Sequence, residues 1–158
     1  MQSLNLDIFK AYNSDWALLT AGTLSDFNTM TISWGGMGTL WNKSVATVYV
    51  RPCRHTYGYM EENEYFTVSF FPQSYKPDLR TLGTLSGRDG DKVAKTALQP
   101  VAAGNSVSFA QACCTLVCKK IYAQDMDPSA IPADILKSMY GEETPHKIYI
   151  GEVLEILK

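Results

Sequence analysis

A mainly β fold, a closed or nearly closed barrel with short helices, is what the sequence predicts, on three observations. Six runs rich in β-branched and aromatic residues recur along the chain, turn residues separate them, and the stretches with helical spacing are short. At 158 residues the chain is about the size of one domain and long enough to bury a full core, so residues 1–158 are expected to form a single domain. No internal repeat, low-complexity tract or linker divides it.

The elements follow in chain order. Residues 16–20 form the first predicted strand and residues 30–34 the second. Side chains alternate faces in a strand, so Met30, Ile32 and Trp34 point one way while Thr29, Thr31 and Ser33 point the other. One face is apolar and the other is a row of hydroxyls. The glycine-rich stretch 35–41 reads as a loop bracketed by tryptophans. It lacks the G-x-G-x-x-G spacing and no helix follows, so it fits close backbone approach to a flat ligand or partner subunit better than a phosphate grip.

The third strand, residues 45–50, runs into Arg51-Pro52-Cys53-Arg54-His55-Thr56. Thr56 stands where an N-cap would open a short helix reaching Asn63. Two guanidiniums and a helix N-terminus then converge on one spot, opposite the hydroxyl row, as two walls of a pocket for a phosphate-bearing cofactor. A strand at 65–71 follows, then a helix from Asp78 as cap to Leu82, and a further helix over 91–98. Strands at 115–122 and 148–156 close the chain. Between them residues 132–140 read as a helix, with Pro132 in its first turn and Gly141 ending it. The stretch 100–111, rich in Ala, Ser and Gly, carries no recognisable motif.

The formal net charge is −2 and the pI about 5.6, which excludes a protein that grips nucleic acid through a broad basic face. The charge is uneven. No Asp or Glu occurs between Asp26 and Glu61, whereas Lys43, Arg51, Arg54 and His55 do, and such a local positive segment favours a small anionic ligand. The N-terminus has neither the basic start nor the apolar centre of a signal peptide, and no apolar run reaches membrane-spanning length. A cytoplasmic protein without membrane partners is the expectation. Cys53, Cys113, Cys114 and Cys118 form no C-x-x-C pair and lack histidines at zinc spacing, so they read as reduced thiols and no metal is expected. Cys114 and Cys118 share a strand face and suit the role of small buried hydrophobes.

Four segments in order, Asn28-Thr29-Met30-Thr31-x-Ser33-Trp34-Gly35, Arg51-Pro52-x-Arg54-x-Thr56, Ser86-Gly87-Arg88-Asp89-x-Asp91-Lys92 and His146-x-x-Tyr149-Ile150-Gly151-Glu152-Val153, resemble the flavin reductase-like FMN-binding proteins, the flavoredoxin group. The likeness runs from about Trp16 to Val153. It implies an FMN-binding split β-barrel that forms a homodimer and holds FMN near the subunit interface. By that resemblance Asn28, Thr29, Met30, Thr31, Ser33 and Trp34 lie along the isoalloxazine and ribityl chain. Arg51, Arg54 and Thr56 hold the phosphate, where guanidinium donors, exposed N–H groups and the helix dipole all favour an anion. Ser86, Gly87 and Lys92 approach the cofactor. Arg88 either helps to bind the flavin or receives the nicotinamide donor, although Arg88 and Lys92, interleaved with Asp89 and Asp91, also fit a solvated helix start. His146 is expected at the flavin edge, with no catalytic residue otherwise assigned.

The resemblance implies an NAD(P)H-dependent oxidoreductase that passes electrons from FMN to free flavin, a redox partner or a small acceptor. A non-catalytic FMN-binding electron carrier needs the same pocket, so both readings stay open. A hydrolase assembled from Ser86, Asp89 and His146 is set aside, because no G-x-S-x-G elbow accompanies them. Nothing resembles a dinucleotide-binding α/β unit, which leaves the preferred nicotinamide undetermined.

Overall fold

The computed structural model describes residues 3–158. A seven-stranded antiparallel sheet with order β2-β1-β5-β8-β9-β4-β3 wraps around one core. Its strands are β1 (Ala17–Thr23), β2 (Asp26–Ile32), β3 (Gly35–Leu40), β4 (Lys43–Val50), β5 (Tyr65–Phe70), β8 (Cys114–Asp125) and β9 (Lys147–Leu157). The hairpin β6 (Pro100–Ala103) and β7 (Ser106–Phe109) forms a second, two-stranded sheet packed against β1 and β5. The predicted mainly β barrel with short helices is thus the observed class. Among the described residues the edge strands β2 and β3 do not pair, and Ser33 and Trp34 bridge them.

Alternation decides what each strand buries. Leu19 and Ala21 of β1, Met30 and Ile32 of β2, Ala46, Val48 and Val50 of β4, and Phe66, Val68 and Phe70 of β5 all enter one apolar cluster with Leu116, Cys118 and Tyr149. The opposite face of β1 and β5 meets a second cluster, where Leu18, Phe71, Leu79, Leu82, Leu98 and Phe109 pack together. Cys114 and Cys118 are buried and unbridged, as the hydrophobe reading requires, while Cys53 and Cys113 are exposed thiols.

Several elements depart from the sequence expectation. Residues 35–40 are the edge strand β3, paired with β4 from Gly35↔Val48 to Leu40↔Lys43. Glycine weakens a strand but cannot veto one when its neighbour offers a complete ladder. Gly35 is there for contact: a Cβ would stand 2.6 Å from Cε1 of Tyr12. Tyr12 belongs to a short N-terminal helix, α1 (Ile8–Lys10), that runs on as a π-helical turn (Ala11–Asp15) and that nothing in the periodicity announced. The β3–β4 turn places Trp41 and Asn42 at φ 52° and 59°, the pattern of a tight hairpin.

Helix α2 (His55–Glu62) begins earlier than predicted, with Arg54 at the N-cap and Thr56 inside the first turn. Helix α3 (Lys76–Thr84) likewise starts before Asp78, whose carboxylate accepts from the Ala97 N–H instead of capping its own helix. The expected helix over 91–98 is a single 3₁₀ turn, Val93–Lys95, with Asp91 Oδ1 accepting from the Ala94 N–H. Helix α4 (Ala133–Met139) forms where expected but is one residue shorter at each end, with Pro132 at its N-cap rather than in its first turn and Gly141 at φ 60° behind it. Among the described residues no helix is long and apolar enough to cross a membrane, and no metal-ligating cluster is found.

Candidate functional site

Where β2 runs out, β4 ends beside it, and the loop before β9 arrives from the other side of the sheet. The three ends enclose a cleft of about 340 Å³. Met30, Thr31, Ile32, Ser33 and Trp34 form one wall, Tyr49, Arg51, Cys53 and Arg54 the second, and Glu143 and His146 the third. Seven sequence-predicted residues meet here: Met30, Thr31, Ser33, Trp34, Arg51, Arg54 and His146.

The two arginines differ in what already holds them. Arg51 Nη1 donates to Glu143 Oε2 at 2.6 Å, Nη2 donates to the Met139 carbonyl at 2.9 Å, and its guanidinium lies 5.3 Å from the Tyr140 ring centre. Arg54 is half-buried, and no carboxylate among the described residues stands within ion-pair distance of it. Burial lowers its pKa, the charge of Arg51 lowers it further, and only the neighbouring Cys53 acts the other way. No side chain caps α2, whose open first-turn N–H groups begin directly after Arg54.

His146 is buried against Trp34, with ring centres 5.3 Å apart, and its Nδ1 is 2.7 Å from the Tyr140 hydroxyl. Burial first, then the charges of Arg51 and Arg54, push its pKa down to about 4, so the ring is neutral at pH 7. The charge of Arg54 is also felt at Lys92. Only 5 % of Lys92 is exposed, its Nζ donates to the Leu82 and Leu85 carbonyls at 2.9 and 3.2 Å, and among the described residues no carboxylate pairs with it. Burial, with Arg54 adding to it, lowers its pKa to about 8.

The remaining predicted residues fall elsewhere. Thr29 does not line the cleft: its hydroxyl is sealed between sheets, 2.8 Å from Thr20 Oγ1 and donating to the Leu19 carbonyl. The hydroxyl row is therefore split, because α3 and the β6–β7 hairpin cover the β2 face that the alternation left polar; Thr31 Oγ1 donates to the Leu79 carbonyl of α3. Asn28, Gly87 and Lys92 line a second hollow of about 460 Å³ together with His55, on the other side of the Cys53–His55 segment. Asn28 Nδ2 donates to the buried Thr56 Oγ1 at 2.8 Å, which fixes the start of α2. A Cβ on Gly87 would stand 2.3 Å from Asn28 Oδ1, so only glycine lets this loop close on β2. Ser86 accepts from the Arg88 N–H, and Arg88 Nη1 donates to the Cys53 carbonyl at 2.8 Å. The third motif thus braces the arginine turn from behind. The solvated alternative fits exposed Arg88 and fails for buried Lys92.

Sequence reasoning missed Tyr49, Cys53, Tyr140 and Glu143. Tyr49 was legible, since it sits two residues before Arg51 on the same strand face. Tyr140 and Glu143 carry no local signal; only the return of the chain from α4 to β9 brings them to Arg51.

The comparisons agree with this frame. A family model described as a flavin reductase like domain matches residues 9–157. Flavoredoxin from Methanosarcina acetivorans superposes with a TM-score of 0.74 at 17% identity, covering 100% of this chain and 75% of that one. Flavoredoxin of Desulfovibrio vulgaris (Miyazaki F) gives 0.71 at 20% identity, covering 99% and 75%. An FMN-binding protein from Thermus thermophilus, solved with bound 1-cyclohex-2-enone, gives 0.70 at 18% identity, covering 100% and 78%. Among curated proteins no match was found. A family match over nearly the whole chain, on a split barrel of the same topology, places this protein in the flavin reductase-like family.

Proposed function

We infer that the protein is an FMN-dependent oxidoreductase, accepting hydride from NAD(P)H on bound FMN and passing electrons to free flavin, a redox protein or a small acceptor. The observation that carries this reading is Arg54, which pairs with no carboxylate among the described residues and opens, beside Arg51, into an aromatic-walled cleft. FMN fits that donor set. Its phosphate suits Arg54 and the uncapped N-terminus of α2, with Lys92 and Arg88 supporting the turn from behind. Trp34, Tyr49 and the neutral His146 offer a planar ring flat contact and a hydrogen-bond donor, and Ser33 offers a hydroxyl to the ribityl chain. The volume lies in the range of small-molecule sites.

Bound there, the flavin would supply hydride acceptance and release of electrons singly or in pairs. The chain's own contribution is to bind, orient and polarise. Asn28, Thr29, Thr56, Ser86 and Gly87 belong to the scaffold in this reading: they position the strand end and the arginine turn. Exposed Trp34, Trp41 and Leu154, with the unpaired edge of β3, support a homodimer formed across that side of the barrel.

The flavoredoxin likeness supports a second reading, an FMN electron carrier without a productive nicotinamide site. Anaerobic mixing with each dinucleotide separates them. The oxidoreductase reading expects tight FMN binding and rapid loss of the flavin visible band with NADH or NADPH. Tight binding with no bleaching by either donor leaves the carrier, and failure to bind FMN overturns both.

A further inference from the structure

The least expected feature of the cleft is the layer behind His146. The hydroxyl of Tyr140, at the C-terminal end of α4, approaches Nδ1 at 2.7 Å, and among the described residues its only other hydrogen-bond contact is the Met126 sulfur at 3.8 Å. A thioether is a weak acceptor and a neutral imidazole nitrogen a strong one, so the phenolic proton lies on the line to Nδ1. Arg51 reinforces the assignment. Its guanidinium sits over the Tyr140 ring, 5.3 Å from the ring centre, and helps to fix the ring in place, while Glu143 and the Met139 carbonyl hold Arg51 itself.

We propose that Tyr140 is a positioning residue that locks His146 in the tautomer protonated at Nε2, presenting a fixed, neutral N–H donor to the cleft. The imidazole has two nitrogens; with Nδ1 accepting from Tyr140, the remaining proton must be on Nε2, the nitrogen that makes no hydrogen bond to the described residues. Trp34 packs against the ring at a tilt of 55°, with ring centres 5.3 Å apart, and restricts its rotation. Burial first, and then the charges of Arg51 and Arg54, keep a second proton off it. The charged groups around the ring are Arg51, Arg54 and the Glu143 that pairs with Arg51. A donor of this kind stabilises negative charge that grows on a ring acceptor in the cleft without itself moving a proton. That last step rests on the FMN reading; the tautomer does not.

The test uses the full chain labelled with ¹⁵N-histidine. The sequence has two histidines, so comparison with His55→Gln assigns His146 directly. In the ligand-free protein the expected spectrum at pH 7 has His146 Nδ1 unprotonated and Nε2 protonated, and Tyr140→Phe moves the two resonances toward each other as both tautomers populate. With FMN bound, Tyr140→Phe should shift the flavin midpoint potential to more negative values while FMN affinity changes less than threefold. Met126→Leu, which removes only the sulfur contact, should leave both unchanged. A wild-type ring protonated at Nδ1, or a ¹⁵N pattern unaffected by Tyr140→Phe, overturns the proposal. So does an unchanged potential in a variant that still binds FMN. If the chain binds no flavin at all, the FMN reading falls, and the ligand-free spectra still decide the tautomer.

Discussion

The interior of the barrel and the wall of the cleft treat their polar groups in opposite ways. Between the sheets, hydroxyls answer one another: Thr20 with Thr29, Ser69 with Ser108 and Thr115, and Thr67 with the Val107 carbonyl. Each partner is supplied by the fold, as a buried polar group requires. At the cleft, Arg54 is half-buried beside the charge of Arg51, and among the described residues no carboxylate pairs with it. One arrangement stabilises the folded chain by itself; the other leaves charge for a ligand to complete. Polar groups answered within the fold hold the sheets together, and in the FMN reading the guanidinium left unpaired at the cleft is the one a phosphate would answer.

The largest expected effect tests the cost of that crowding. The unfolded chain protonates His146 near its ordinary pKa, whereas the folded chain resists until about pH 4. Stability is therefore unaffected by this group above pH 6.5 and is lost as pH falls, by about 3 kcal/mol across that interval. Denaturant unfolding of the ligand-free protein should show this loss, and His146→Asn should flatten the difference between pH 6.5 and pH 4. Equal slopes in both proteins would place the cost elsewhere.

Next comes the asymmetry between the arginines. Arg54→Ala should weaken FMN binding by roughly 50–100-fold, the worth of a charge-assisted contact, while leaving thermal stability unchanged or slightly raised. Arg51→Ala should weaken it less and destabilise the ligand-free chain by about 1 kcal/mol, because Glu143, Met139 and Tyr140 lose their partner. Fluorescence titration with FMN and thermal melts of both variants measure the pair of effects. A larger binding loss for Arg51 would reverse the assignment.

Thr29→Val sharpens the barrel side. It leaves the buried Thr20 hydroxyl without its partner and should cost about 1–3 kcal/mol of unfolding free energy with FMN affinity intact. A change confined to affinity would return Thr29 to the ligand wall. The smallest effect is on pH dependence. An anion near Arg54 raises the pKa of Lys92 from about 8, so FMN affinity should decline by a few-fold as pH rises above 8. A flat profile between pH 7 and 9.5 in the titration would remove Lys92 from the electrostatics of the site.

Strand composition made most of the sheet legible, since the runs that became β1, β2, β4, β5, β8 and β9 are rich in β-branched and aromatic residues, although Lys119 and Lys120 interrupt β8 and β2 occupies Asp26–Ile32 rather than residues 30–34. It failed at β3, where glycine hides an edge strand that only its partner's ladder reveals, and at β6–β7, whose four-residue strands are too short to carry a period. At the site, the acid-free segment from Asp26 to Glu61 and the arginine turn were visible because charge and capping chemistry are local. The sealing of Thr29 was not, because alternation says which side chains share a face and never what covers that face.

What the residues determined unaided is the mainly β class, the family motifs in order and a positive segment suited to a small anion, all of which follow from neighbours along the chain. What tertiary structure decided is which charges stay unpaired. Glu143 and Tyr140 reach Arg51 from some ninety positions away, and among the described residues no carboxylate reaches Arg54. Whether a cation is already answered depends on contacts between distant segments, and these exist only once the barrel has closed around its core.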